Sequence, residues 1–113
     1  MKTVKLFFAA LLLAVISSNT YAQSATKTET IKVWGQCGMC KARIEKAAKV
    51  DGVTKAEWSD ETKMLSLVYN PSKVTSDDIQ KKIAAVGHDT EKFKADDKAY
   101  SKLPGCCKYD RKK

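Results

Sequence analysis

A chain of 113 residues with 43% hydrophobic content has room for one modest core, which excludes a two-domain arrangement. Its 21 Lys and Arg against 13 Asp and Glu give a formal charge of +8, a balance that suits an acidic partner surface; the lysines are scattered and the chain carries an export leader, so nucleic acid is set aside. The single histidine and the lack of any Gly-x-Gly-x-x-Gly run remove the usual nucleophile and phosphate-loop signatures, and no enzyme is expected.

Residues 1–22 read as a secretory signal peptide. Lys2 and Lys5 precede an apolar run from Leu6 to Ile16, followed by polar Ser17-Ser18-Asn19 and by Thr20 and Ala22 around a cleavage site. Eleven apolar residues fall well short of the roughly 20 needed to span a bilayer, so no membrane span is expected once the leader is removed. Cleavage near Ala22 would leave a soluble periplasmic or secreted protein, expected to be a monomer. Of the 21 basic residues only Lys2 and Lys5 lie in the leader, which leaves 19 against 13 acidic ones, a charge of about +6.

After a short mobile lead, residues 23–27, the pattern becomes period two. Ile31 and Val33 face one way, Thr30, Lys32 and Trp34 the other, in a strand ending at Gly35. A helix follows from about Met39 to Val50, with Cys40, Ile44, Ala47 and Ala48 on one face and a solvated Lys41, Glu45, Lys49 face opposite, Glu45 ahead of Lys49 in the favourable ion-pair order. Asp51-Gly52 stops it. Val53 to Trp58 and Met64 to Tyr69 are the next two strands, joined by a turn at Ser59 to Thr62.

Thr75 is an N-cap, Asp77 and Asp78 fill the first turn, and Val74 with Ile79 forms a hydrophobic staple for a second helix. Ile79, Ile83 and Val86 are its predicted buried stripe, and Gly87 closes it. Thr90 to Ala95 completes the order as a fourth strand, with Phe93 its only large apolar residue. The predicted fold is therefore α+β, a ferredoxin-like βαββαβ sandwich with a four-stranded antiparallel sheet and two helices on one face. That topology sets the loop after the first strand beside the loop holding Gly87-His88.

The chemistry lies in the cysteines. Cys37 and Cys40, three positions apart at a helix start, can turn toward one soft ion, and the helix N-terminus with Lys41 and Arg43 favours their thiolates. Cys106 and Cys107 follow Leu103-Pro104-Gly105, a turn that could present both thiols. Adjacent cysteines share one metal only with a strained backbone, so one or both would join the first pair or a partner; oxidation, within the pair or across to the loop, is the competing outcome. Two thiolates on a loop suit Cu(I) first and Hg(II) next, whereas Zn(II) or Cd(II) would call for further ligands. A Cys-x-x-Cys at a helix start also describes a thiol-disulfide oxidoreductase, although neither Pro71 nor Pro104 stands where a thioredoxin-like fold keeps its cis-proline.

With Cys37-x-x-Cys40-x-x-x-Ile44-Glu45-x-Ala47, Gly52-Val53, Tyr69-Asn70-Pro71 and Val86-Gly87-His88, residues 28–95 resemble the heavy-metal-associated domain of copper chaperones, copper-transporting ATPases and the periplasmic mercury-binding protein. The resemblance implies a metal carrier in which Cys37 and Cys40 bind one soft ion and pass it to a transporter or efflux partner by ligand exchange. It makes His88 a further candidate ligand, because His88 stands where the family often has a residue near the metal; Cys106 and Cys107 are candidates on their own placement after the turn, not through the resemblance. The chain departs from the family at Gly35-Gln36-Cys37, one residue shorter than the usual Gly-Met-x-Cys and without its buried methionine, while Met39 lies between the cysteines. Residues 96–113, a polar basic tail with the Cys-Cys pair, lie outside the resemblance.

Overall fold

The computed structural model describes residues 26–112; the predicted leader and residues 23–25 of the lead lie outside them, while Lys27, the last residue of the predicted mobile lead, opens the first strand. Three six-residue strands form an antiparallel sheet in the order β1-β3-β2: β1 is Lys27–Lys32, β2 Val53–Trp58 and β3 Met64–Tyr69. Strand alternation sends Ile31, Ala56, Trp58, Leu65, Leu67 and Tyr69 to one face, all buried. The register sets Leu65 opposite both Ile31 and Trp58, so the central strand supplies the middle of that face.

Helix α1, Gly38–Ala48, lays Cys40, Ile44 and Ala48 on this face. It ends two residues before the predicted Val50, because the Val50 amide turns back to Ala48 O on the way to Gly52, whose φ of 97° is the left-handed value that glycine adopts without strain. Helix α2, Ser76–Ala85, starts on a full capping box: Asp78 N donates to Thr75 Oγ1 (3.1 Å) and Thr75 N to Asp78 Oδ2 (3.4 Å). Ile79 and Ile83 are buried as the periodicity predicts, while Val86 is 37% exposed, since the chain has left the helix there to turn through Gly87.

Two further expectations are corrected. Glu45 does not face solvent toward Lys49: its carboxylate pairs with Lys41 and accepts the Trp58 amide (2.9 Å), while Lys41 Nζ donates to Trp58 O (3.0 Å), tying α1 to the end of β2. The fourth strand is absent among the described residues, and the sheet has three strands, not four. Thr90 contributes a single bridge to Val33, with Trp34 N donating to Asp89 O (2.9 Å). The chain then folds back, Thr90 N donating to Phe93 O (2.8 Å), and the Lys32 amide is satisfied by the Glu91 carboxylate (2.7 Å) instead of a strand. One large apolar residue in six is too little burial to hold an edge strand against these competing bonds.

The segment after Ala95 enters the core. A short helix α3, Asp97–Ser101, and a 3-10 turn, Gly105–Cys107, bring Leu103, Cys107 and Tyr109 into the buried cluster. Full burial of an apolar side chain of this size contributes roughly 1.5–3 kcal/mol toward the entropy cost of ordering the tail. Polar contacts then fix its path. Tyr109 Oη donates to Gly87 O (2.7 Å) and accepts the Asp89 amide (2.9 Å), its ring stacks on His88, and Tyr100 Oη donates to Tyr109 O (2.6 Å). Arg111 closes the tail with two bonds to the buried Asp89 carboxylate, Nη2 to Oδ1 (2.9 Å) and Nε to Oδ2 (3.1 Å). Asp89 also accepts the Ala95 and Lys112 amides.

Candidate metal centre

The loop between β1 and α1 is held from three sides. Below it lies the Trp58 indole, whose Nε1 donates to Val33 O (3.0 Å). Gly35 allows that approach, because a Cβ there would stand 2.9 Å from the ring; the indole therefore occupies space beneath a loop that lacks the family's methionine. Beside it, His88 Nδ1 lies 2.8 Å from Trp34 O. Above it sits the tail.

Cys37 is the N-cap residue of α1 and Cys40 lies in the helix's first turn, so one short stretch of helix aims both sulfurs at the same point. Cys37 Sγ is 3.5 Å from Cys40 Sγ and also 3.5 Å from Cys107 Sγ, which the 3-10 turn delivers from 70 positions away. All three sulfurs lie within 4.8 Å of one another, and Arg43 Nη1 is 3.3 Å from Cys107 Sγ. Cys40 and Cys107 are fully buried and Cys37 is half-buried.

These distances lie nearer to a three-sulfur geometry than to a two-sulfur one. With metal–sulfur bonds of about 2.3 Å, a linear two-sulfur ion needs its ligands about 4.6 Å apart, whereas a trigonal ring of three needs about 4 Å. Sulfurs at 3.5 Å and within 4.8 Å surround the trigonal spacing, and the Cys37–Cys40 pair is too close for the linear one.

The site polarises its own thiols. The Cys40 backbone N–H lowers the Cys37 thiol to about 6 against opposing burial, and the neighbouring thiols of Cys107, Cys40 and Cys106 add to the effect. Burial, followed by the Cys107 thiol, pushes Cys40 up to about 11, and burial likewise raises Cys107. The metal-free protein thus carries one ready thiolate beside two protonated thiols. In a Cys106→Ser background, iodoacetamide is expected to label Cys37 first, its rate rising with pH and half-maximal near pH 6, with Cys40 protected at neutral pH. Peptide mass spectrometry after timed quenching reads this, and preferential labelling of Cys40 would contradict it.

The further candidates separate. Cys107 joins Cys37 and Cys40, whereas Cys106 is exposed at the rim, 3.9 Å from Cys107 Sγ. His88 is not in the group of sulfurs: it is fully buried, its Nδ1–H faces Trp34 O, and its Nε2 has no partner among the described residues. Burial first of all lowers its pKa and keeps the ring neutral. The residue positions the loop backbone instead of reaching the sulfurs. Sequence reasoning missed Asp89, Tyr109 and Arg111, which seat Cys107; the signal available was the recurrence of Tyr100, Leu103 and Tyr109 in a polar tail.

No family model matches the chain, and no curated protein does. Solved structures do. The chain is similar to a CopZ metallochaperone at 35% identity and a TM-score of 0.55, over 57% of this chain and 98% of that one. It is similar to oxidised MerP from Ralstonia metallidurans CH34 at 30% identity and a TM-score of 0.56, over 59% and 96%. A third likeness is to the N-terminal domain of a potential copper-translocating P-type ATPase from Bacillus subtilis in the Cu(I)-loaded state, at 25% identity and a TM-score of 0.55, over 57% and 84%.

Proposed function

The chain belongs to the heavy-metal-associated domain family, and from that membership we propose that it is a soft-metal carrier acting outside the cytoplasm, which takes up one ion on Cys37, Cys40 and Cys107 and releases it by ligand exchange. The observation that carries this reading is the meeting of three cysteine sulfurs within 4.8 Å at the start of α1. Cu(I) is the first choice of cargo and Hg(II) the second, since both accept two or three thiolates; Zn(II) or Cd(II) would take a fourth ligand from elsewhere. The neighbours, a metallochaperone and a domain of a potential copper-translocating P-type ATPase, support a transporter or efflux protein as recipient. Among the described residues no helix is long and apolar enough to cross a membrane.

The recipient's surface is inferred from the groove beside the site. Met39 and Val86, both well exposed, lie in it among Arg43, Lys46, Lys98 and Lys102. An acidic surface with a small apolar centre fits that face, by charge complementarity that steers encounter more than it adds affinity.

The test is anaerobic titration of the reduced mature protein with Cu(I) against a chromophoric chelator. One ion per chain is expected, with uptake lost in Cys37→Ser and Cys40→Ser. A thiol-disulfide oxidoreductase is the second reading, favoured by the low Cys37 pKa beside two thiols. It predicts multiple turnovers on a test disulfide, whereas a carrier shows none. Stoichiometric uptake without turnover is the expected result, and turnover without uptake overturns the proposal.

A further inference from the structure

Two sulfur atoms at the mouth of the centre are unused by the three-thiolate site. Cys106 Sγ lies 3.5 Å from Met39 Sδ, and both side chains are exposed, Met39 by 53%. They come from different elements, Met39 from the first turn of α1 and Cys106 from the 3-10 turn of the tail. Together with the inner cysteines they make a row: Met39 to Cys106 3.5 Å, Cys106 to Cys107 3.9 Å, Cys107 to Cys37 3.5 Å, Cys37 to Cys40 3.5 Å.

The row starts in solvent at Met39 and Cys106, reaches the buried Cys107, and passes the half-buried Cys37 to the buried Cys40. Cys107 and Cys40 have no exposed surface, so an incoming donor thiolate meets only the exposed Cys106 or the half-buried Cys37, and Cys106 is the more open of the two. Two ligands with bonds of about 2.3 Å can share one ion at separations up to about 4.6 Å. Every step in the row is shorter than that, so an ion can always gain its next sulfur before it loses the last. Adjacent cysteines would ordinarily diverge, yet the tight turn at Gly105–Cys107 sets their sulfurs on one path, one inward and one outward.

We propose that Met39 and Cys106 form the exchange port of the carrier, an outer two-sulfur site that receives a soft ion from a donor's thiolates and hands it to the buried three-thiolate centre. In the exchange a bond between Cu(I) and a donor sulfur breaks as one to Cys106 Sγ forms, and the Cys106 thiol proton goes to solvent. Met39 Sδ, neutral and weakly bound, completes the transient site without retaining the ion. Cys107 then displaces Cys106, giving up its own proton while Cys106 regains one, and copper stays Cu(I) throughout. The inference rests on the carrier reading and adds the route by which cargo enters and leaves.

Stopped-flow mixing of the reduced full-length mature protein with Cu(I) bis-bicinchoninate separates rate from affinity, through the decay and the end point of the coloured complex. Met39→Leu with Cys106→Ser is expected to slow uptake at least tenfold, while the end point shifts less than about threefold. Both side chains are exposed, so the fold should survive their replacement, which a melting curve checks. Uptake at the parent rate overturns the port and leaves the carrier intact. An end point weakened as much as the rate makes Cys106 a resident ligand, which also overturns the port. A parent protein that takes up no Cu(I) removes the carrier reading and the port with it.

Discussion

Arg111→Ala is expected to release the tail and lower the melting temperature of the metal-free protein by about 20 °C. The Asp89 carboxylate has no exposed surface, and Arg111 neutralises it with two bonds. Removing one partner of a buried pair leaves an uncompensated charge, at a cost of about 3–5 kcal/mol. Each kcal/mol moves the midpoint of a domain this size by roughly 4–8 °C. The Arg111 side chain keeps 19% of its exposure, so the lower end of that energy applies. Asp89→Asn with Arg111→Ala removes the charge along with its partner and should recover part of the loss.

The same contact has a sign in pH. Burial works against ionised Asp89, yet Arg111 and the Ala95 and Lys112 amides outweigh it and hold the carboxyl below its ordinary 3.8. The clamp's stability is therefore fully present above about pH 3.8 and is lost as pH falls through the lower folded value. Trypsin cleavage after Lys98 and Lys102, slow in the parent and fast in Arg111→Ala, reports the tail directly. Equal cleavage and melting in the two proteins would show that the clamp does not hold the tail.

Cys107→Ser is the second large effect: Cu(I) affinity should fall by at least about 100-fold, or 2.7 kcal/mol. A hydroxyl is a poor ligand for a soft ion, and the remaining sulfurs sit 3.5 Å apart, too close to serve a linear ion without opening the loop. The apo melting temperature should move only a few degrees, because serine nearly preserves the shape. Chelator competition reads the affinity, and X-ray absorption should count three sulfurs in the parent and two in the variant. Affinity unchanged within about threefold would make the tail a lid over a two-cysteine site. Arg111→Ala should weaken the same affinity by a smaller factor, since it frees the turn that carries Cys107.

Much of the scaffold was legible because the signals are local. Strand alternation at Ile31 and Leu65, the Thr75 capping box and the helical spacing of Cys40, Ile44 and Ala48 each involve neighbours within about one turn or one cross-strand pair. The fourth strand failed for one local and one long-range reason: Phe93 alone could not outweigh the turn from Thr90 to Phe93 and the Glu91 carboxylate, which takes the Lys32 amide from 59 positions away. Glu45 was misread because its partner, the Trp58 amide, belongs to another element.

By itself the sequence determined the order of the first five elements and the placement of Cys37 and Cys40 at a helix start, since both follow from periodicity and capping between near neighbours. Only the tertiary structure decided that Cys107 completes the group while Cys106 and His88 do not. That choice depends on Tyr109 filling a space against His88 and on Arg111 reaching Asp89 across 22 positions. Contacts of that span leave no periodic trace in a tail with few apolar residues, because they arise from the shape of a surface that exists only once the sheet and helices have packed.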